Sequence, residues 1–299
     1  MALLVVGSTA FDSIETPFGK AADCLGGSAV YCSMAAALFT EARLVSVVGK
    51  DFPAASRELL RQKNVRLDGL QEMPGKTFRW SGRYSADMNS RETLHLELNT
   101  FADFRPQVPA TFRDSSFVFL ANGAPETQMA VLAQMGNSTF AVADTMDFWI
   151  ETKREALLEL LRKVDGVILN DQEIKLLTGE SNLIRAGRKA LVLGPKLVIL
   201  KKGEHGCFLF SNFFHHALPA YPTDRVVDPT GAGDSFAGGF MGFLAECDSL
   251  SLWNMKRAIA YGTVTASLTV EGFGVHALAG ATREQVERRY QELIQFISM

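Results

Sequence analysis

The chain has 299 residues, 47% of them hydrophobic and only 21% charged, enough apolar material for a large core in one α/β domain or two smaller ones, and too much for a disordered chain. A formal net charge of −3 argues against a surface built for nucleic acid, though not against a local basic pocket for a nucleotide. The opening residues carry no basic leader or cleavage site, no apolar run approaches a membrane span, and Cys24, Cys32, Cys207 and Cys247 show no paired spacing, so the expectation is a cytoplasmic protein with reduced thiols and neither disulfides nor zinc.

Residues 3–6 (LLVV) read as a buried strand ending in Gly7-Ser8-Thr9-Ala10-Phe11-Asp12. A lone carboxylate just past such a strand lies where open α/β sheets gather ligands, so Asp12 is a candidate substrate ligand, with a solvated turn residue as the alternative. Residues 13–23, with Pro17 and Gly19, read as an irregular excursion. Gly26-Gly27-Ser28 then precedes a helix whose Val30, Met34, Ala37 and Leu38 repeat at helical spacing, a glycine turn at a helix start. A second apolar strand over 43–48 (RLVSVV) leads into Gly49-Lys50-Asp51, read as loop charges, and a helix near 54–63. From 76 to 98 the period falls to two, with Phe78, Trp80 and Gly82 alternating against Arg79, Ser81 and Arg83. That pattern marks half-buried strands, a small sheet inserted into the main fold.

Strands and helices then alternate: strand 117–121, helix 126–135, strand 139–143, and helix 151–163 with Leu157, Leu160, Leu161 and Val164 as its buried stripe. Alternation of this kind implies parallel pairing through right-handed crossovers, hence a three-layer α/β fold. Strand 166–169 delivers Asn170-Asp171-Gln172-Glu173. Asn170 and Glu173 at i, i+3 either order water around a magnesium–phosphate group or form a helix capping box. Strand 197–200 ends in Lys201-Lys202-Gly203-Glu204-His205-Gly206, the turn of a hairpin before 207–210, where a lysine either touches phosphate or is solvated. His215-His216 sits in a Phe-rich loop, and adjacent rings point apart more readily than they chelate.

The stretch 226–240 (VVDPTGAGDSFAGGF) is the most informative. Val226 and Val227 suit a strand end, Gly231 and Gly233 allow a tight turn, and Phe236, Phe240, Phe243 and Leu244 form a helical stripe. Convergent N–H groups at such a helix start make an anion site. Asp234 beside it serves either as a helix cap together with Thr230 or as a proton acceptor in phosphoryl transfer. The helix start is expected to lower its pKa. Beyond it, 253–269 reads as a helix, 270–275 as a turn, and Val286, Tyr290, Leu293 and Ile297 as the buried stripe of a closing helix.

DPTGAGDSFAGGF resembles the C-terminal signature of the ribokinase-like (PfkB) family of carbohydrate and nucleoside kinases. It is not a Walker A loop, because no Gly-Lys-Ser/Thr follows the glycines. NDQEIKLLTG (170–179) is similar to the family's Asn-x-x-Glu motif, Val48-Gly49-Lys50-Asp51 to its Val-Gly-x-Asp turn, and Gly26-Gly27 to its N-terminal glycine pair, with Tyr31 standing where Asn is usual. The resemblance covers essentially the whole chain. It implies one domain, 1–299, with a mainly parallel central sheet and a small β-sheet lid from about 13–23 and 76–100, a lid that also forms a dimer surface in some members. It further implies an ATP-dependent kinase acting on a primary hydroxyl of a sugar, with a purine nucleoside as the alternative acceptor. A catalytically silent binding protein of the same fold is the rival from another class. On this resemblance Asp234 is the base, with Gly231, Ala232 and Gly233 as the anion hole. Asp12, Gly26 and Gly27 hold the acceptor; Asn170, Glu173, Lys202, Gly203, Gly206 and Thr230 hold ATP. Glu173 holds Mg2+ through water, and Asp228 holds K+ in some members.

Overall fold

The four apolar residues of β1 (Leu3–Val6) are all buried and sort by parity, Leu3 and Val5 into one hydrophobic cluster, Leu4 and Val6 into another. A strand covered on both faces does this because successive side chains point to opposite sides of the sheet. The computed structural model describes residues 1–136 and 140–298. In it β1 is flanked on one side by β4 (Ala42–Gly49) and β5 (Val65–Met73), and on the other by β8 (Phe117–Leu120), β9 (Phe140–Asp144), β10 (Gly166–Asn170) and β11 (Leu197–Lys201), all parallel. Antiparallel β12 (Cys207–Ser211) and β13 (His215–Leu218) complete a nine-stranded sheet. The strand order reverses at β1, so the crevice beyond its carboxyl end is the topological switch point where such sheets bind ligands.

Helices cover both faces. On the Leu3 and Val5 side lie α1 (Ser28–Ala36), α8 (Ala232–Cys247), α9 (Leu252–Thr269), α10 (His276–Gly280) and α11 (Arg283–Ile297), while α2 (Ala54–Gln62) packs on β5. On the other side lie α3 (Pro125–Leu132), α4 (Asp147–Thr152), α5 (Arg154–Leu161), α6 (Asp171–Thr178) and α7 (Leu183–Val192). A side chain at Gly238 would strike the Cys32 carbonyl of α1, and one at Gly239 would strike Thr265 of α9. The glycine pair therefore lets three helices pack closely, and α8 is held rigidly behind the turn it opens on.

The second sheet has order β3-β2-β6-β7, from β2 (Ala10–Thr16), β3 (Gly19–Gly26), β6 (Phe78–Tyr84) and β7 (Arg91–Glu97). Residues 13–23, irregular by pattern but part of the small sheet by resemblance, form most of the β2–β3 hairpin. Pro17 and Phe18 occupy its turn, where no ladder N–H is required. The single helix expected over 151–163 breaks at Lys153, whose φ of −132° is not helical. β5, β13 and α7 had no counterpart in the sequence reading. β9 covers the strand expected over 139–143 except Thr139, which lies outside the described residues. His215 and His216 are consecutive residues of β13 and so face opposite ways. No helix among the described residues is long and apolar enough to cross a membrane.

Candidate active site

The approach to α8 is not a strand end. Val227 and Asp228 donate their N–H groups to the Val270 carbonyl at 2.7 and 3.1 Å, hanging the segment on the C-terminus of α9. Asp228 is fully buried, and its carboxylate accepts from Thr230 N–H at 2.9 Å and Gly274 N–H at 3.1 Å. It acts as a staple between two loops. Gly231 is the N-cap of α8 with φ 75°, and no side chain caps the helix. A Cβ there would lie 2.3 Å from the Tyr31 ring, so the turn requires glycine for both its angle and its neighbour.

The capping alternative for Asp234 and Thr230 therefore falls. Thr230 Oγ1 instead donates to the Tyr84 hydroxyl at 3.1 Å. Asp234 makes no hydrogen bond among the described residues, although protein surrounds it and solvent still reaches it. Burial is the first cause that pushes its pKa up to about 8, followed by repulsion from Asp144, against the pull of Lys201 and Arg91. The expectation that the helix start lowers this pKa is overturned, because desolvation and a second carboxylate outweigh the dipole.

Asp12 is buried across the cleft, its Oδ2 at a long 3.5 Å from the Tyr31 hydroxyl. A Cβ on Gly26 would sit 2.0 Å from that oxygen, so this glycine exists to admit the carboxylate. Burial raises the Asp12 pKa to about 7, opposed by the Gly27 N–H. Gly27 starts α1 at φ 95°. Tyr31 thus fills the space between the Gly231 turn and the Asp12 carboxylate.

Asn170 and Glu173 form a true capping box. Asn170 Oδ1 accepts from the N–H groups of Gln172 and Glu173, and Glu173 Oε2 accepts from Asn170 N–H at 2.7 Å. This leaves Asn170 Nδ2 and Glu173 Oε1 unused by the cap. Burial, then the nearby Asp144, raises the Glu173 pKa to about 7. Lys202, expected to hold ATP, has its ammonium 4.0 Å from the centre of the Phe208 ring. The lysine at the anion turn is its neighbour Lys201, whose Nζ lies 2.8 Å from where a Gly233 Cβ would be. Gly203 and Gly206 shape the turn between β11 and β12.

The small sheet closes over this crevice. Asp12 and Trp80 are register partners on adjacent strands, as are Tyr84 and Arg91, so the inner face carries Asp12, Trp80, Tyr84 and Arg91. Arg91 stacks over Trp80, and its charge is felt at both Asp12 and Asp234. At the far end Asn89 Nδ2 donates to Glu204 Oε1 at 3.1 Å. Asp51, read as a loop charge, pins the entry to the sheet instead, accepting from Thr77 N–H and Thr77 Oγ1 at 2.7 Å each. Sequence reasoning passed over Asp144, Tyr84 and Arg91, and it did not separate Lys201 from Lys202. The signal that could have found Asp144 and Lys201 is the one applied to Asp12, a charged residue at the carboxyl end of a buried strand.

The sequence profile of the pfkB family carbohydrate kinases matches residues 24–279. The chain belongs to that family. A cytidine kinase from Thermococcus kodakarensis is 30% identical over 270 residues, covering 86% of this chain and 95% of the relative. Likeness of fold extends to a nucleoside kinase from Burkholderia thailandensis in complex with ADP-inosine, at TM-score 0.82 and 16% identity, over 98% of this chain and 96% of that one. A fructokinase from Vibrio cholerae, in a form bound to fructose, ADP and calcium ion, gives TM-score 0.80 at 18% identity over 97% and 98%. PfkB-family membership places the chain among kinases of sugars and nucleosides and sets the α/β fold described above in its family context.

Proposed function

We propose that the protein is an ATP-dependent nucleoside kinase that phosphorylates a ribose hydroxyl. The observation that carries the phosphotransfer reading is the Asp234 carboxyl, without a hydrogen-bond partner among the described residues, at the helix start formed by Gly231, Ala232 and Gly233. Half-buried and given no partner among the described residues, this carboxyl leaves its oxygens to solvent or to a substrate hydroxyl. The acceptor oxygen forms a bond to the γ-phosphorus while the bond from that phosphorus to the β–γ bridging oxygen breaks. Its electron pair leaves with ADP, and the acceptor's proton passes to Asp234. Asp12, in the space that Gly26 leaves open, holds other ribose hydroxyls. The Gly231 and Gly233 amides face the charge on the moving group, whereas the Ala232 N–H is already donated to the Pro229 carbonyl at 3.2 Å.

Magnesium fits the donors present: the Glu173 oxygen and Asn170 amide that the capping box leaves unused suit a cation bound mainly through water and phosphate. When bound, it would neutralise phosphate charge. Asp228, with both oxygens engaged by backbone N–H groups, would contribute little to a monovalent cation.

The nucleoside acceptor draws support from the cytidine kinase likeness over most of both chains; the Trp80 ring is already packed against Gly82 and the Arg91 guanidinium, so a base would stack there only by displacing the arginine. Phe78 stacks on Phe101 and Tyr31 is buried against Gly231, so neither of them serves that purpose. A sugar acceptor is the second reading, favoured by the similar fold of the fructokinase. A coupled assay of ADP release with cytidine, adenosine, inosine, ribose and fructose tests both. Turnover with a nucleoside is expected, and turnover with only free sugars would overturn the nucleoside assignment. Calorimetric binding with no ADP release from any acceptor would favour a silent binding protein.

A further inference from the structure

Lys201 is the last residue of β11, and its direction follows from strand parity. Leu197 and Ile199 point into the cluster that holds Phe240 and Met241 of α8. Lys201 continues the same side and so is aimed at the start of α8, where its ammonium fills the space that a Gly233 side chain would take. Its side chain is only 18% exposed, and its nearest charged neighbour is Asp144 Oδ2 at 3.9 Å, beyond hydrogen-bond reach. No acceptor within hydrogen-bond distance serves this ammonium among the described residues, so its three donors are unspent.

Asp144 is itself fixed. Its Oδ1 accepts from Thr145 N–H at 2.8 Å, and its backbone carbonyl accepts from Gln128 Nε2 at 2.9 Å. The arrangement is an anchored carboxylate behind, in the middle a cation without a hydrogen-bond acceptor among the described residues, and in front the glycine turn that opens α8.

We propose that Lys201 binds the γ-phosphoryl group of ATP at the anion turn, with Asp144 as the positioning residue that holds its side chain there. The proposal rests on the kinase reading and deepens it. Gly233 is glycine on this account because any side chain would push the lysine off the phosphate, a reason independent of backbone angle. Asp144, Glu173 and Asp234 all favour the charged form of the lysine, so it remains a cation despite its burial.

The test compares ADP with β,γ-imido-ATP, which differ at the γ position, by calorimetry on the full-length protein with magnesium. For Lys201→Met, ADP affinity should stay within about twofold, while β,γ-imido-ATP affinity should fall about tenfold or more, the loss expected for one charge-assisted hydrogen bond. With the acceptor chosen by the panel, turnover should fall at least about 10²-fold. Lys201→Arg should recover part of both losses. Lys201→Gln keeps polarity without charge and carries the same reading if the Met variant does not fold. Equal losses for the two nucleotides, or no loss for either, would overturn the proposal, since a merely structural counter-charge does not distinguish a γ-phosphate. If the wild-type protein releases no ADP with any acceptor, the kinase reading and this proposal fall together. If the wild type turns over and the variants match it, only this proposal falls.

Discussion

At the scale of single residues, the site is legible where a residue type is forced and opaque where a direction is needed. Asp234, Gly231, Asp12 and Gly26 stood out because the resemblance to the family's motifs outweighed the cap and turn alternatives that pattern left open, and the structure brings all four to one cleft. Lys201 and Lys202 could not be separated by pattern, because adjacent residues at a strand end differ only in which face they take, and that depends on register with the rest of the sheet. The pKa of Asp234 was misjudged for a similar reason, since Asp144, which raises it, is 90 positions away in sequence. Replacing Asp234 by Asn keeps shape and removes the proton acceptor, so single-turnover phosphoryl transfer should slow by at least about 10²-fold while ATP affinity changes little. Near-normal transfer in a rapid-quench experiment would remove Asp234 from the chemistry.

At the scale of elements, strands buried on both faces were readable as short apolar runs, and β1, β4, β8, β10 and β11 all fall where such runs occur. β5 and β13 were missed because an edge strand has one paired side and a partly solvated face, which dilutes its apolar pattern. Pattern alone did not show the β2–β3 hairpin, because Pro17 and Gly19 read as disruptions when they only mark the turn, and only the resemblance placed lid strands there. What no pattern could supply is the reach of the lid sheet. Tyr84 from β6 touches Thr230 of the anion turn, and Asn89 beyond it touches Glu204. These two latches tie the inserted sheet to the turn before α8 and to the turn between β11 and β12. Tyr84→Phe removes one of them, worth about 0.5–1.5 kcal/mol. If the latch favours a closed, acceptor-retaining state, the acceptor KM should rise by up to about tenfold with kcat nearly unchanged. Steady-state kinetics showing an equal loss in kcat would assign Tyr84 to the reaction step instead.

For the molecule as a whole, the cleft concentrates acids that the fold would be more stable without. Asp12 and Asp234, ordinarily near 3.8, are pushed to about 7 and about 8, chiefly by burial. Between the ordinary and the raised values the folded chain holds protons that the unfolded chain has released, so unfolding releases protons and stability falls as pH rises. The loss is absent below about 4, grows through neutrality and is complete above about 8. A group held fully protonated contributes about 1.4 kcal/mol per pH unit at most, and solvent access to Asp234 lowers that figure. Other carboxylates act in the opposite sense: Asp51, hydrogen-bonded to Thr77, has a lowered pKa and gives stability that is lost in acid. The informative quantity is therefore the difference between wild type and Asp234→Asn, in which such common terms cancel. The variant, neutral at every pH, should gain Tm over the wild type steadily from pH 5 to pH 8, and the gain should level off above that. Asp144, Lys201, Asp12 and Arg91 face this carboxyl, and all remain in the variant. Parallel melting curves across the range would mean that Asp234 is as well solvated as an exposed aspartate, and that the cleft stores no strain for its ligands to relieve.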